Sequence, residues 1–130
     1  MTKPEAADSN PEKKLLIIED EAIIALHLKN LAQQVGLKVE GICFSCREAL
    51  EIVTKKEIDI VFLDIYLKDK DRNGIDLARQ LNNEFGITNI IYITANTDAK
   101  TKEEANATEH IAYLQKPVEL HHIKDALKIL

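Results

Sequence analysis

A chain of 130 residues, 45% hydrophobic and 30% charged, is long enough for one domain with a real core and leaves no room for a second. A formal charge of -5 and a pI near 5.4 argue against the clustered basic face of a nucleic-acid surface, so no direct nucleic-acid contact is expected. No apolar run approaches a membrane span, and Met1–Lys14, polar and carrying Pro4 and Pro11, lacks the apolar centre of a signal peptide. No membrane contact and a cytoplasmic location are therefore the expectation.

Residues 1–13 read as a disordered N-terminal tail, and residues 14–130 as one domain in which strand and helix signals alternate without a linker or repeat. The first strand is the apolar run Leu15–Ile18. The helix after it shows Ile24, Leu28, Leu31 and Val35 on one face, and Gly36 suits the left-handed residue that ends a helix. A second strand near Leu37–Cys43 leads to Ser45 and Glu48, an S-x-x-E capping box, and then to a helix with Cys46, Ala49, Leu50 and Val53 as its buried stripe. Cys43 and Cys46 form a lone C-x-x-C where strand gives way to helix; with no second ligand pair they read as two reduced packing thiols rather than a zinc or redox pair.

The third strand is Ile58–Leu63, followed by Asp64, the charged stretch Lys68–Arg72, and a helix with Ile75, Ala78, Leu81 and Phe85 on one face and Gly86 as its stop. The fourth strand is Asn89–Ile93. The next helix, near Asp98–Ala107, has only alanines as apolar residues, and at about 25 cal/mol per Å2 it buries little; it should be the loosest helix. A fifth strand at Ile111–Leu114 precedes a helix carrying Leu120, Ile123, Leu127 and Leu130 at helical spacing. Five such units with right-handed crossovers predict an α/β fold: a flavodoxin-like, doubly wound, five-stranded parallel sheet of order 2-1-3-4-5 with five helices.

In that order the first and third strands are neighbours, so Glu19 and Asp20 come to lie beside Asp64. Three carboxylates in one pocket repel one another by roughly 4 kcal/mol per pair at about 4 Å and an effective dielectric near 20. A hard divalent cation is the natural answer. Magnesium commonly takes one or two carboxylates and keeps several waters, which suits Asp20 and Asp64 with the backbone carbonyl of Tyr66, and Glu19 acting through water. Asp64, fixed by the run before it, is aimed as a nucleophile, while Thr94 and Lys116 at other strand ends could bind a phosphoryl group by hydroxyl and by charge. Taken singly, an acid at a strand end is ordinarily a cap or loop residue, Thr94 a strand-end β-branched residue and Lys116 a surface lysine. The combination is what points to aspartyl-phosphate chemistry.

The acidic pair in Ile18-Glu19-Asp20-Glu21, Asp64 in Val61-Phe62-Leu63-Asp64, Thr94-Ala95 and Lys116-Pro117 together make the chain resemble the response-regulator receiver domains of two-component signalling, the CheY-like family. The resemblance covers about Lys14–Leu130. It implies that Asp64 accepts a phosphoryl group from a phosphohistidine on a sensor histidine kinase or histidine phosphotransfer protein, with Mg2+ as cofactor. Thr94, Ala95 and Lys116 become the phosphoryl-binding set, and Tyr113 the switch aromatic that turns inward as Thr94 moves. By the same analogy Tyr66 and Asn96 flank the water route to the phosphoryl group and tune its lifetime, and the Lys116–Pro117 peptide bond is cis. A downstream effector is the implied partner, bound on the face formed by the fourth helix, fifth strand and fifth helix.

Two departures stand out: the loop from Asp64 to Gly74 is longer than is usual in the family, and Lys68 stands where proline is common. His27, His110, His121 and His122 read as surface or packing residues, with His121 and His122 also candidates for partner recognition. A haloacid dehalogenase-type phosphatase would want a second aspartate where Tyr66 stands, and a flavodoxin's phosphate would be repelled by Glu19-Asp20-Glu21. A pseudo-receiver that binds partners without phosphorylation is the remaining alternative. The apolar end Ile129-Leu130 suggests either excision from a longer protein or a homodimer contact.

Overall fold

A computed structural model describes residues 12–69, 72–96 and 98–130. Its elements are β1 (Lys14–Ile18), α1 (Ala22–Gln34), β2 (Lys38–Cys43), α2 (Cys46–Lys55), β3 (Ile60–Leu63), α3 (Gly74–Phe85), β4 (Ile90–Thr94), α4 (Ala99–Asn106), β5 (Ala112–Gln115) and α5 (Leu120–Leu127). The strands form one parallel sheet in the order β2-β1-β3-β4-β5, as expected. Most of the anticipated disordered tail falls outside the described residues, but Lys13 does not: its carbonyl accepts from Lys38 N at 2.9 Å.

The three inner strands are apolar on both faces because both faces are covered. Leu16, Ile18, Val61, Leu63, Ile90 and Tyr92 point into one buried cluster with residues of α2 and α3 and with Ala105 of α4. Their neighbours Leu15, Ile17, Ile60, Phe62, Ile91 and Ile93 point the other way, onto α1 and α5. The period of two along each strand thus divides the helices into two layers.

Helix ends follow local chemistry. Gly36 and Gly86 take φ of +86° and +66°, the left-handed region that closes α1 and α3. Asn73 caps α3 by accepting from Ile75 N and Asp76 N, and Asp76 accepts from Asn73 N in return. At α2 the Ser45 hydroxyl accepts from Glu48 N as predicted, but Glu48 Oε1 accepts from Phe44 N, one residue beyond the usual box. Asp98 caps α4 through Thr101 N.

The strands differ from the sequence prediction at their margins. β3 starts at Ile60, not Ile58: at the amino ends of β1 and β3, Lys14 N donates to the Asp59 side chain instead of to a backbone carbonyl. β5 runs Ala112–Gln115 rather than Ile111–Leu114, and α5 ends at Leu127, leaving Ile129 and Leu130 exposed. Cys43 and Cys46 are free and buried, as read from their spacing. The Lys116–Pro117 bond is cis. Among the described residues no helix is long and apolar enough to cross a membrane.

Candidate functional site

The sheet's ladder continues one residue past the carboxyl ends of its strands, and this builds the site. Glu19 N donates to Cys43 O, Asp64 N to Ile18 O and Lys116 N to Thr94 O, all at 2.9–3.0 Å. Backbone pairing therefore fixes Glu19, Asp64, Thr94 and Lys116 in adjacent rows. The β3–α3 loop then turns back tightly: Gly74 N donates to Ile65 O at 2.7 Å, and a Cβ on Gly74 would lie 2.2 Å from the Asp64 carbonyl oxygen. Only glycine lets α3 begin this close behind Asp64.

Asp20, Glu21, Asp64, Tyr66, Lys68, Thr94, Ala95 and Lys116 line a pocket of about 270 Å3 at this end of the sheet. Glu19 lies behind it, 1% exposed. Lys116 Nζ donates to Asp64 Oδ2 at 2.9 Å and pairs with Glu19 Oε1 at 2.6 Å. Glu19 Oε2 accepts from Glu21 N at 3.1 Å, and Asp64 Oδ1 from Tyr66 N at 3.3 Å.

Burial pushes the Glu19 carboxyl above its ordinary pKa, opposed by Lys116 and the Glu21 amide. For Lys116, burial acts against the charge, but the contacts to Glu19 and Asp64 outweigh it and hold the ammonium above the usual lysine value. One ammonium among three carboxylates leaves the cluster two negative charges in excess when all are ionised.

The residues present suit a divalent metal. Glu19, Asp20 and Asp64 each bring a carboxylate oxygen within 4.8 Å of the others, a set of hard oxygen donors of the kind magnesium takes.

Of the sequence candidates, the structure brings Asp20, Asp64, Tyr66, Thr94, Ala95 and Lys116 to one pocket. Asn96 lies just outside its lining, its Oδ1 accepting from Asp98 N at 2.7 Å and its backbone N–H donating to Thr94 Oγ1 at 3.3 Å. Tyr113 is half-buried, its hydroxyl donating to Asn96 O at 3.2 Å and its ring beneath Lys102. His27 Nε2 donates to Val118 O, and His110 packs edge-on against Tyr92, both packing roles.

Sequence reasoning missed three contacts: Glu19 with Lys116, Tyr66 with Thr101 of α4, and Asp69 with Cys46 N at the start of α2. Each joins residues far apart in the chain through side-chain tips, for which strand and helix periodicity carries no signal.

A five-stranded flavodoxin-like sheet with an acid cluster and a lysine at its carboxyl end defines the class of CheY-like signalling domains. The response regulator receiver domain family matches residues 15–128, and the chain belongs to it: it is a receiver domain of the two-component response regulators. The transcriptional regulatory protein DcuR of Escherichia coli is 32% identical over 116 residues, covering 87% of this chain and 48% of that protein. PdtaR of Mycobacterium tuberculosis, also a transcriptional regulatory protein, is 29% identical over 130 residues, covering 99% of this chain and 62% of its own length. The chain thus spans about half to three fifths of the curated relatives it matches. The signal receiver domain of a modulated diguanylate cyclase from Desulfovibrio desulfuricans superposes with a TM-score of 0.83 at 26% identity, over 92% of this chain and 93% of the other.

Proposed function

We propose that Asp64 is the residue that carries the phosphoryl group, received from a phosphohistidine on a sensor histidine kinase or histidine phosphotransfer protein. An Asp64 carboxylate oxygen attacks phosphorus, the phosphorus–nitrogen bond breaks, and its electron pair returns to the donor's imidazole. Asp20 and Asp64, with the Tyr66 backbone carbonyl and with Glu19 through water, would hold Mg2+, which would offset the pocket's excess negative charge and so admit an anionic donor. Lys116 and the Thr94 hydroxyl, with the backbone at Ala95, receive the phosphoryl oxygens; Lys116 already sits on Asp64 and needs no long movement. Phosphoryl gain and loss proceed on the chain's own residues, without a separate catalytic centre.

The observation that carries this reading is the cluster of Glu19, Asp20 and Asp64, two of whose carboxylates, Glu19 and Asp64, meet the Lys116 ammonium. That complete set favours a phosphoacceptor over a module that binds partners without phosphorylation. Thr94 and Tyr113 pass the change to α4, β5 and α5, where a downstream effector binds.

Mass spectrometry after incubation with magnesium and a small phosphodonor tests the assignment. The wild type should gain one acid-labile phosphoryl mass and Asp64→Asn none. Equal gain by the variant at the same rate would place the modification elsewhere.

A further inference from the structure

Tyr66 joins the loop beside Asp64 to the first turn of α4. Its hydroxyl lies 2.9 Å from Thr101 Oγ1, while Thr101 Oγ1 donates to Asp98 Oδ2 at 3.1 Å and Thr101 N to Asp98 Oδ1 at 2.7 Å. Thr101 has one hydroxyl hydrogen, and a carboxylate can only accept, so that hydrogen goes to Asp98. The Thr101 oxygen is then left to accept from the Tyr66 phenol. The direction of the whole chain, Tyr66 to Thr101 to Asp98, is fixed by the acid at its end.

Two features make this more than a surface contact. Thr101 is buried, 6% exposed, although it belongs to a helix whose one other buried residue is Ala105. Tyr66, by contrast, is 51% exposed and lines the Asp64 pocket, with its backbone N–H on Asp64 Oδ1. A half-exposed aromatic would ordinarily sample several rotamers. Here the polar tip is held from α4 and the backbone end from the carboxylate.

We propose that Thr101 is a positioning residue that holds the Tyr66 ring along the open side of the pocket, so that the placement of α4 governs how readily water reaches phosphorylated Asp64. The proposal rests on Asp64 being the phosphoacceptor. In the step concerned, water attacks phosphorus and the bond from phosphorus to the Asp64 oxygen breaks. The electron pair stays on that oxygen, which regains its carboxylate charge. Inorganic phosphate leaves carrying both hydrogens of the water. A ring fixed beside the pocket narrows the approach of that water; a ring set free does not.

The test compares wild type, Thr101→Val, Thr101→Ser, Tyr66→Phe and the Thr101→Val/Tyr66→Phe double variant. Each is phosphorylated with acetyl phosphate and magnesium, freed of donor, and followed by mass spectrometry for loss of the phosphoryl mass. Thr101→Val and Tyr66→Phe should each speed the loss by roughly three- to tenfold, the ratio supplied by one hydrogen bond of ordinary strength. The double variant should be no faster than either single one, and Thr101→Ser, which keeps the hydroxyl, should restore the wild-type lifetime. Rates that multiply in the double variant, or a lifetime indifferent to Thr101→Val, would overturn the proposal.

Hydrogen exchange at the amides of Asp64–Leu67 in the unmodified proteins separates this from the underlying reading. Faster exchange in Thr101→Val but not in Thr101→Ser supports the tether whether or not phosphate is taken up. Unchanged exchange in both overturns it. Failure of the wild type to gain any phosphoryl mass would overturn the assignment of Asp64 and leave the exchange result to decide the tether.

Discussion

At the scale of single residues, the site depends on atoms that must approach closely. Gly74 is the clearest case, since a methyl group there meets the carbonyl of Asp64 itself at 2.2 Å. Gly74→Ala should cost about 1–3 kcal/mol in denaturant unfolding, as overpacking does. Because the displaced backbone is Asp64's own, phosphoryl uptake should also slow, which an equally destabilising substitution elsewhere in α3 would not cause. Asp20→Asn removes a charge and a ligand together, so magnesium affinity by titration and the rate of phosphorylation should fall in parallel. Unchanged magnesium affinity would exclude Asp20 from direct coordination. Asp64 and Lys116 were legible as site residues because each directly follows a strand, and strand ends meet wherever a parallel sheet forms. The sharing of Lys116 between Asp64 and Glu19 was not legible: it depends on rotamers that lead Glu19 inward behind the pocket, a choice made by packing.

At the scale of elements, α4 stands apart. It buries Thr101 and Ala105 only; α2 and α5 also bury two residues each, but they add half-buried Leu50, Ile52 and Val53 or Leu120 and Leu127 to the core, and α4 adds none. A helix held by so little apolar area opens at low free-energy cost and can be repositioned by a change of a few kcal/mol. Residues 98–107 should therefore exchange amide hydrogens fastest among the five helices in the unmodified protein and gain protection on phosphorylation. Protection changes confined to α1 and α2 would contradict this. The looseness of α4 was readable from its alanines, and its limits from Asp98, which is an N-cap because its carboxylate reaches Thr101 N at 2.7 Å. The edges of β3 and β5 were less readable. A strand's last paired residue depends on its neighbour, so Ile111 donates to Ile90 O yet falls just outside the strand.

At the scale of the whole molecule, the two cysteines report on the integrity of the core. Burial is the main cause that pushes both thiols up to about 12, against an ordinary value near 8.5. A thiol that stays protonated is a poor nucleophile, so native protein should resist alkylation by iodoacetamide at about pH 8 and react only on unfolding. The sign of the stability effect follows. Below about pH 8.5 both states keep these protons and stability is full; between about 9 and 12 the unfolded chain releases them and the folded one does not. Stability should fall across that window by about 1.4 kcal/mol per pH unit per thiol. The Cys43→Ala/Cys46→Ala variant should show a shallower alkaline decline in urea unfolding; an identical slope would mean the thiols ionise in place.

The sheet order was readable at this scale too, since five alternating units with right-handed crossovers leave few arrangements. The sheet that results is also a partition. Leu16, Ile18, Val61 and Leu63 belong to one buried cluster and Leu15, Ile17, Ile60 and Phe62 to the other, and among the described residues no side chain is common to both. Substitutions on opposite sides share no partners and should combine additively, whereas those on one side must accommodate one another. Compensating changes in descendants of this chain are therefore expected to pair α1 with α5, or α2 with α3, and seldom to cross between the halves. Each half can be redesigned while the other is left as it is.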